Sequence, residues 1–294
     1  MRLQFVGEHQ ARWPISVLCR VLEVTRAAFY KWLHRTSSVT QEKQKKIVAE
    51  IIRIHSLPKH ASYGSPRIHR EINRSGTKCS VNTVAKLMRR EGIRAKSSPR
   101  FRVATTDSSH DFPIAPNLLN QQFTARKPNQ IWLSDFTYLP TREGFTYLCA
   151  FLDLCSRRIV GWATSKKIDT QLALAAFDQA FALRQPGSGL IIHTDRGSQY
   201  ASLAFRSRLK QRGCQPSMSR KGNCYDNAPM ESFFKSFKVE EVYHETYETH
   251  EQATRSVTDY IERFYNPKRI HSALEFESPI QFEKRKLFEK NKSA

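Results

Sequence analysis

At 294 residues the chain has room for about two domains of ~100–200 residues each, and 39% hydrophobic content is enough to build a sizeable core. A formal charge of +21 and a pI near 10.0 point to a polyanionic partner, because neutralising phosphates releases their counterions. Six cysteines without a C-x-x-C pair, and no apolar run near ~18 residues, argue against a disulfide framework, a zinc ribbon and a membrane span, so a reducing cytoplasm is the expected compartment.

The charge is uneven. Residues 1–110 carry 22 basic against 7 acidic side chains, a balance of +15, whereas residues 111–294 carry 26 against 20, a balance of +6. Within the basic part, residues 14–35 predict two short helices broken near Val24 and Thr25, with Thr25 capping the second. A basic-faced helix over 41–55 follows, with Ile47, Ile51 and Ile54 on one stripe. A second helix pair spans 66–74 and 81–91, with a turn at Ser75 and Gly76, Ser80 as cap and Gly92 as stop. In the last helix Val81, Val84, Ala85 and Met88 are expected inside, leaving Asn82, Lys86, Arg89 and Arg90 to face a DNA groove. For any one of these residues a solvated surface role is equally good, and only the regional charge tips the balance.

Residues 96–129 read as a linker, rich in serine, threonine and proline, in which Arg100 and Arg102 are expected to touch phosphate. Beyond Pro128 the pattern changes to three strands in hairpin succession, over 131–139, 145–154 and 158–164. A helix over 169–184, a short strand over 190–194, a helix over 199–212, a strand near 215–218 and a further helix complete the order. The succession β-β-β-α-β-α-β-α is that of an α/β ribonuclease H-like (integrase) core with a mixed sheet, here preceded by an all-α, helix-turn-helix-like N-terminal region.

Three acids in this core stand out: Asp135 in WLSDFTYL, Asp195 in IIHTDRGSQY and Glu231 in YDNAPMESFFKSFK, with 59 and then 35 residues between them. Alone, Asp135 would be a turn residue, Asp195 a helix cap, and Glu231 half of a surface pair with Lys235 worth ~0.3–0.5 kcal/mol. Together they put three oxygen ligands at two strand ends and on one helix. That is a hard-cation site for Mg²⁺ or Mn²⁺, suited to phosphoryl transfer on nucleic acid. On a helical wheel Lys235 and Lys238 fall within about 40° of Glu231 while Phe233, Phe234 and Phe237 form an apolar arc. Lys221, Lys235 and Lys238 are therefore expected to position phosphates. Asp153 and Asp169 need only turn and cap roles, Asp226 or Asn227 is expected to cap the Glu231 helix, and His193 and His271 read as structural histidines.

The strings WLSDFTYL, SRRIVGW, HTDRGSQY, SMSRKGNCYDNAPMESFFKSFK and YNPKRIHSALEFESP resemble the second-reading-frame (OrfB) transposase of the IS-three superfamily of bacterial insertion sequences. The block YGSPRIHREI…VNTVAKLMRREGIRAK is similar to the helix-turn-helix-like region before the core in that family, and the likeness runs from about Tyr63 to Phe282. The resemblance implies a DDE-type polynucleotidyl transferase with Asp135, Asp195 and Glu231 as catalytic and metal-holding residues. Its partners would be terminal inverted repeats and target DNA, with no membrane, in a homo-oligomeric DNA complex. Members of the family are often fused by frameshift to an upstream-frame protein, so such a fusion is a further expected partner.

The expected mechanism uses two Mg²⁺ ions, with Mn²⁺ able to substitute, for strand cleavage followed by attack of the freed 3′-hydroxyl on a second phosphodiester. The expected segments are a helix-turn-helix-like pair at 1–40, a basic DNA-binding region at 41–100, a linker at 101–127, the catalytic core at 128–240 and a C-terminal helical extension at 241–294. Two alternatives stay open on the sequence: a nuclease of the same fold that only hydrolyses, and a non-catalytic DNA-binding regulator. The three mutually repelling acids count against the second.

Overall fold

The computed structural model describes residues 1–34, 38–96, 110–221 and 224–292; Arg100 and Arg102 lie outside the described residues. The N-terminal unit has three helices, α1 (Arg2–His9), α2 (Ile15–Val21) and α3 (Arg26–Leu33), where the sequence predicts only the last two. Thr25 caps α3 by accepting from the Ala28 N–H, but α1 has no side-chain cap and buries only Val6, so it leaves little pattern to read. Val6 meets Leu18, Cys19 and Phe29 in a small separate core.

The next three helices are α4 (Val39–His55), α5 (Ser65–Arg74) and α6 (Val81–Arg90). A reciprocal Ser38–Gln41 capping box opens α4, and Ser80 caps α6. Ile47, Ile51 and Ile54 of α4 pack with Ile68 and Ile72 of α5 and with Val84, Leu87 and Met88 of α6. Val81, expected inside, is exposed, and Leu87 takes its place. Side chains tilt toward a helix N-terminus, so the first residue of α6 projects past its end.

Five strands form one sheet: β1 (Ile131–Thr141), β2 (Gly144–Asp153), β3 (Ile159–Ser165), β4 (Ile191–Thr194) and β5 (Gln215–Met218), in the order β3-β2-β1-β4-β5. The β1–β2 and β2–β3 pairs are antiparallel, while β4 runs parallel to both β1 and β5. This is the mixed sheet of a ribonuclease H-like integrase core. One face, carrying Trp132 and Phe136, packs on α7 (Thr170–Arg184) and α9 (Leu203–Gln211) through Phe177, Ala180 and Phe205. A Cβ at Gly161 of β3 would stand 2.4 Å from that of Ala180, so glycine there lets α7 lie directly on the sheet. The helix expected over 199–212 is broken at Ser202, whose hydroxyl accepts from the Phe205 N–H and starts α9 afresh after α8 (Ser198–Ala201).

The opposite face, with Leu133 and Leu139, packs on α10 (Ala228–Glu240) and on the C-terminal part of the chain, which holds α11 (His250–Thr258) and α12 (Pro279–Lys292). Helix α11 continues into a π-helical turn, Asp259–Tyr265, that buries Tyr260, Ile261, Phe264 and Tyr265. The isoleucines of α4 and α5 belong to this same core. From α12, Glu283 pairs with Arg158 and Arg184 at 2.8 Å each. Among the described residues no helix is long and apolar enough to cross a membrane.

Candidate active site

Alternation along β1 puts Leu133, Asp135 and Thr137 on one face, toward α10, and Trp132, Ser134 and Phe136 on the other. The parallel pairing of β1 with β4 keeps a constant offset, Ile131 opposite Ile191 and Leu133 opposite His193. Two residues further on, the same offset brings Asp135 level with Asp195, just beyond the last residue of β4. Asp135, expected near a strand end, instead lies in the middle of β1, paired with Ala150 of β2, because β1 runs on to Thr141 along β2; it is the shorter β4 that ends here and lets Asp195 stand beside it.

Each aspartate is held locally. Asp135 Oδ1 accepts from the Phe136 N–H at 2.8 Å, and Asp195 Oδ1 accepts from the Gly197 N–H at 3.0 Å. A Cβ at Gly197 would lie 3.1 Å from that oxygen and 2.8 Å from Gln199 Oε1, so the carboxylate owes its close approach to the glycine. Behind β1, Ser134 Oγ and Tyr200 OH are hydrogen-bonded at 2.8 Å, and burial pushes the Tyr200 hydroxyl well above its ordinary pKa.

Asp135 retains partial solvent access but is densely surrounded, and its pKa is raised well above the usual carboxylate value. Burial is the largest cause, followed by repulsion from Asp195; Glu231 adds to it, while the Phe136 N–H and Lys238 oppose it. The fold therefore brings the three acids close enough to feel one another. Among the described residues, however, no three His, Cys, Asp or Glu side chains are gathered into a closed metal-binding group. A Mg²⁺ site does not demand such a cage, because this ion keeps several waters and substrate oxygens among its ligands.

Glu231 is exposed in the first turn of α10, with Lys235 also exposed one turn on. Lys238 is half-buried, its ammonium 4.5 Å from the centre of the Tyr138 ring. Burial lowers its pKa while Asp135 pulls it back up, so this lysine is within electrostatic reach of Asp135. Lys221 is exposed on the loop before α10, as are Asn82, Lys86, Arg89 and Arg90 on α6. Arg90 is engaged with Glu91 at 2.8 Å and with Gln44 at 3.2 Å.

Neither Asp226 nor Asn227 caps α10 through its side chain. Asn227 instead donates from Nδ2 to the carbonyl of Ser134 at 3.1 Å, pinning the start of α10 to β1 next to Asp135. Asp226, 1% exposed, accepts from the backbone and guanidinium of Arg220, from Asn117 and from Gln121, and these bonds hold its carboxyl far below the ordinary range. The segment expected as a linker supplies two of those donors. Its described part lies along the core, with Leu119 buried, the Leu118 N–H on Ser217 Oγ and His110 Nε2 donating to the Arg196 carbonyl at 2.7 Å. The string YDNAPMES carried the signal, but local capping chemistry was the only role it suggested. His193 is structural: it is hydrogen-bonded to Ser217 and Ser219, and burial lowers its pKa to about 4.

A mixed sheet with one acid within its central strand, a second just past the end of the neighbouring strand and a third on the helix packed on that face defines an integrase-core protein, and comparison with known families agrees. Residues 125–224 and 231–287 match families described as Integrase core domain, and residues 41–101 match the HTH-like domain. Transposase InsF for insertion sequence IS3A of Escherichia coli (strain K12) is 40% identical over 288 residues, covering 98% of this chain and 100% of that protein. The insertion element IS600 uncharacterized 31 kDa protein of Shigella sonnei is 38% identical over 262 residues, 89% and 96% of the two chains. The chain belongs to the IS3 family of insertion-sequence transposases, DDE-type enzymes with an integrase core. Among solved structures, the HTLV-2 integrase catalytic core domain in complex with magnesium aligns with a TM-score of 0.42 at 17% identity, over 54% of this chain and 99% of that one.

Proposed function

We propose that Asp135, Asp195 and Glu231 form the centre at which this transposase cuts and joins DNA strands, and that they hold divalent cations, a pair of Mg²⁺ or, in substitution, Mn²⁺. The observation that carries the reading is the register of β1 and β4, which sets Asp135 level with Asp195, together with the charge repulsion that both Asp195 and Glu231 exert on Asp135. Oxygen-only donors suit a hard cation, and the mutual repulsion of neighbouring carboxylates is relieved when a cation binds among them. Cations there would supply charge neutralisation on the phosphodiester and activation of the attacking oxygen.

The chain's own residues do the rest. Asp135 and Asp195, fixed by the sheet and by the Phe136 and Gly197 amides, set the ligand positions, and Glu231 closes the site from α10. Lys238, held against Tyr138, adds a positive charge beside the phosphate path, with Lys235 and Lys221 further out. In the first reaction water forms a bond to phosphorus and the bond to the 3′-oxygen breaks, leaving a 3′-hydroxyl and a 5′-phosphate. That hydroxyl then attacks a second phosphodiester in line, forming one ester as another is released. Helix α6, through Asn82, Lys86, Arg89 and Arg90, contacts the DNA of the element's terminal repeats. Two ends must meet, so the working unit contains more than one copy of the chain, and fusion to an upstream-frame protein would add a further DNA-binding part.

A supercoiled plasmid carrying the flanking inverted repeats tests this. Wild-type protein should give strand-transfer products with Mg²⁺ and none in chelator. Strand cleavage by a D135N variant free of wild-type protein would sink the assignment.

A further inference from the structure

A cavity of about 320 Å³ lies against the flank of α10 turned away from Glu231, and Arg67, Arg157, Arg269 and His271 line it. Ser232, next to Glu231 on α10 and so about 100° round the helix, also lines it. Ser272 stands exposed at its wall. The volume is at the lower end of small-ligand sites, roughly 300–1,000 Å³, and larger than a bare inorganic ion needs.

Its charge is unbalanced. Arg269, 3% exposed, makes a two-point ion pair with Glu240 at 2.7 and 2.8 Å, and Arg67 reaches the same carboxylate only at 3.9 Å. Arg157 is half-buried and has no side-chain hydrogen bond or ion pair among the described residues. Asp153, in the same turn, spends its oxygens on the Asn129 N–H and on Ser156. Three guanidiniums therefore converge on one cavity with a single paired carboxylate. The excess is felt by His271, whose pKa is driven well below its ordinary value by burial and then by Arg269, Arg67 and Arg157. An arginine held in a pocket without a partner is costly until an anion reaches it, and its planar fork matches phosphate oxygens.

We propose that this cavity is a phosphate pocket that takes one nucleotide of a single-stranded stretch of DNA, with Arg157 as its free guanidinium. The size leaves room for the sugar beside the phosphate, and the shared helix α10 places the pocket round the corner from Glu231, where a strand leaving the carboxylates can turn in. The inference rests on DNA as the partner and not on the assignment of the three acids.

The test uses the full-length D135N protein in chelator, so that failure of the metal site cannot affect the outcome. Deoxyadenosine 5′-monophosphate should bind, deoxyadenosine should not, and R157Q should weaken the binding at least tenfold. For a duplex with a single-stranded tail, R157Q should lower the slope of log affinity against log salt by about 0.7 to 1, while the slope for a blunt duplex stays the same. S272E, at an exposed position on the wall, repeats the test without touching an arginine, should R157Q fail to fold. Unchanged nucleotide binding in both variants would overturn the pocket. An equal fall in slope for tailed and blunt DNA would make Arg157 a general duplex contact and also overturn it. Inorganic phosphate binding as tightly as the nucleotide, with no effect of the tail, would assign the pocket to free phosphate and reject the DNA strand.

Discussion

Glu231 and Glu240 stand near opposite ends of one helix, α10, and the fold treats them in opposite ways. Glu231 is exposed and adds to the repulsion on Asp135. Glu240, 5% exposed, accepts from Arg269 at two points, from the Tyr260 hydroxyl at 2.8 Å and from Ser62 at 2.9 Å. Burial alone would raise its pKa, but Arg269 and the hydroxyls leave it below the ordinary value. Glu240 thereby ties three distant stretches of chain together: the α4–α5 connection, α10 and the C-terminal part. The lesson is that the paired carboxylate holds the fold, whereas the clustered ones repel one another, a cost that the proposed cation would offset.

The largest effect that can break this comparison is on activity. D135N, D195N and E231Q should each lower strand cleavage by about a thousandfold or more, measured on end-labelled repeat DNA, with DNA binding retained. A variant with near-normal cleavage would remove its residue from the centre. Next comes stability at the other end of α10. R269M takes away the two-point partner of Glu240 and leaves only Arg67 at 3.9 Å, so it should cost about 3–5 kcal/mol in urea unfolding. A cost under about 1 kcal/mol would mean that the buried pair is not what joins the three stretches.

The two ends should also differ in their response to pH and metal. Asp135 has a folded pKa above its unfolded value of about 3.9, so its unfavourable contribution is absent below that value and grows as pH rises toward the folded pKa. Glu240 has a depressed folded pKa, so its stabilisation is present above its unfolded value of about 4.3 and is lost as pH falls through the folded pKa. D135N should therefore flatten the loss of stability on the rising-pH side and leave the acid limb alone. Mg²⁺ should raise the wild-type Tm by several degrees and that of D135N by less. Equal shifts in the two proteins would show that the cation binds elsewhere.

The smallest effect concerns the lysines between the two glutamates. K238A should weaken strand transfer several-fold and cost about 1 kcal/mol, because the half-buried ammonium lies over Tyr138. K235A, at an exposed position, should leave stability within about 0.5 kcal/mol. Full strand transfer in K238A with a lowered Tm would make Lys238 part of the scaffold alone.

How much of this was legible in the residues varies with the range of the interaction. The strand period placed Asp135 on one face of β1, the helical wheel grouped Glu231 with Lys235 and Lys238, and caps at Thr25, Ser80 and Asp169 were readable, because each depends on neighbours a few residues away. Helix α1, with one buried side chain, and the break at Ser202 were not, since their local signals are weak. Asp226 and Asn227 looked like helix caps because capping is what such residues do locally; Asp226 also meets Arg220 six residues back, but the partners that fix both residues on the core, Asn117, Gln121 and Ser134, are about a hundred residues away along the chain.

By itself the sequence determined most of the elements, though not α1 or the break at Ser202, together with the three acids in their motifs and the concentration of positive charge before residue 110. Only the tertiary structure decided that β4 pairs with β1 in the register that brings Asp195 level with Asp135. It alone decided that α4–α6 share a core with the C-terminal helices, that the supposed linker braces the loop before α10, and that three arginines meet at one cavity. Strand register and ion-pair partners depend on which distant surfaces are buried together. A β-strand or an arginine carries no local mark of its partner, so that choice is made by the packing of the whole chain.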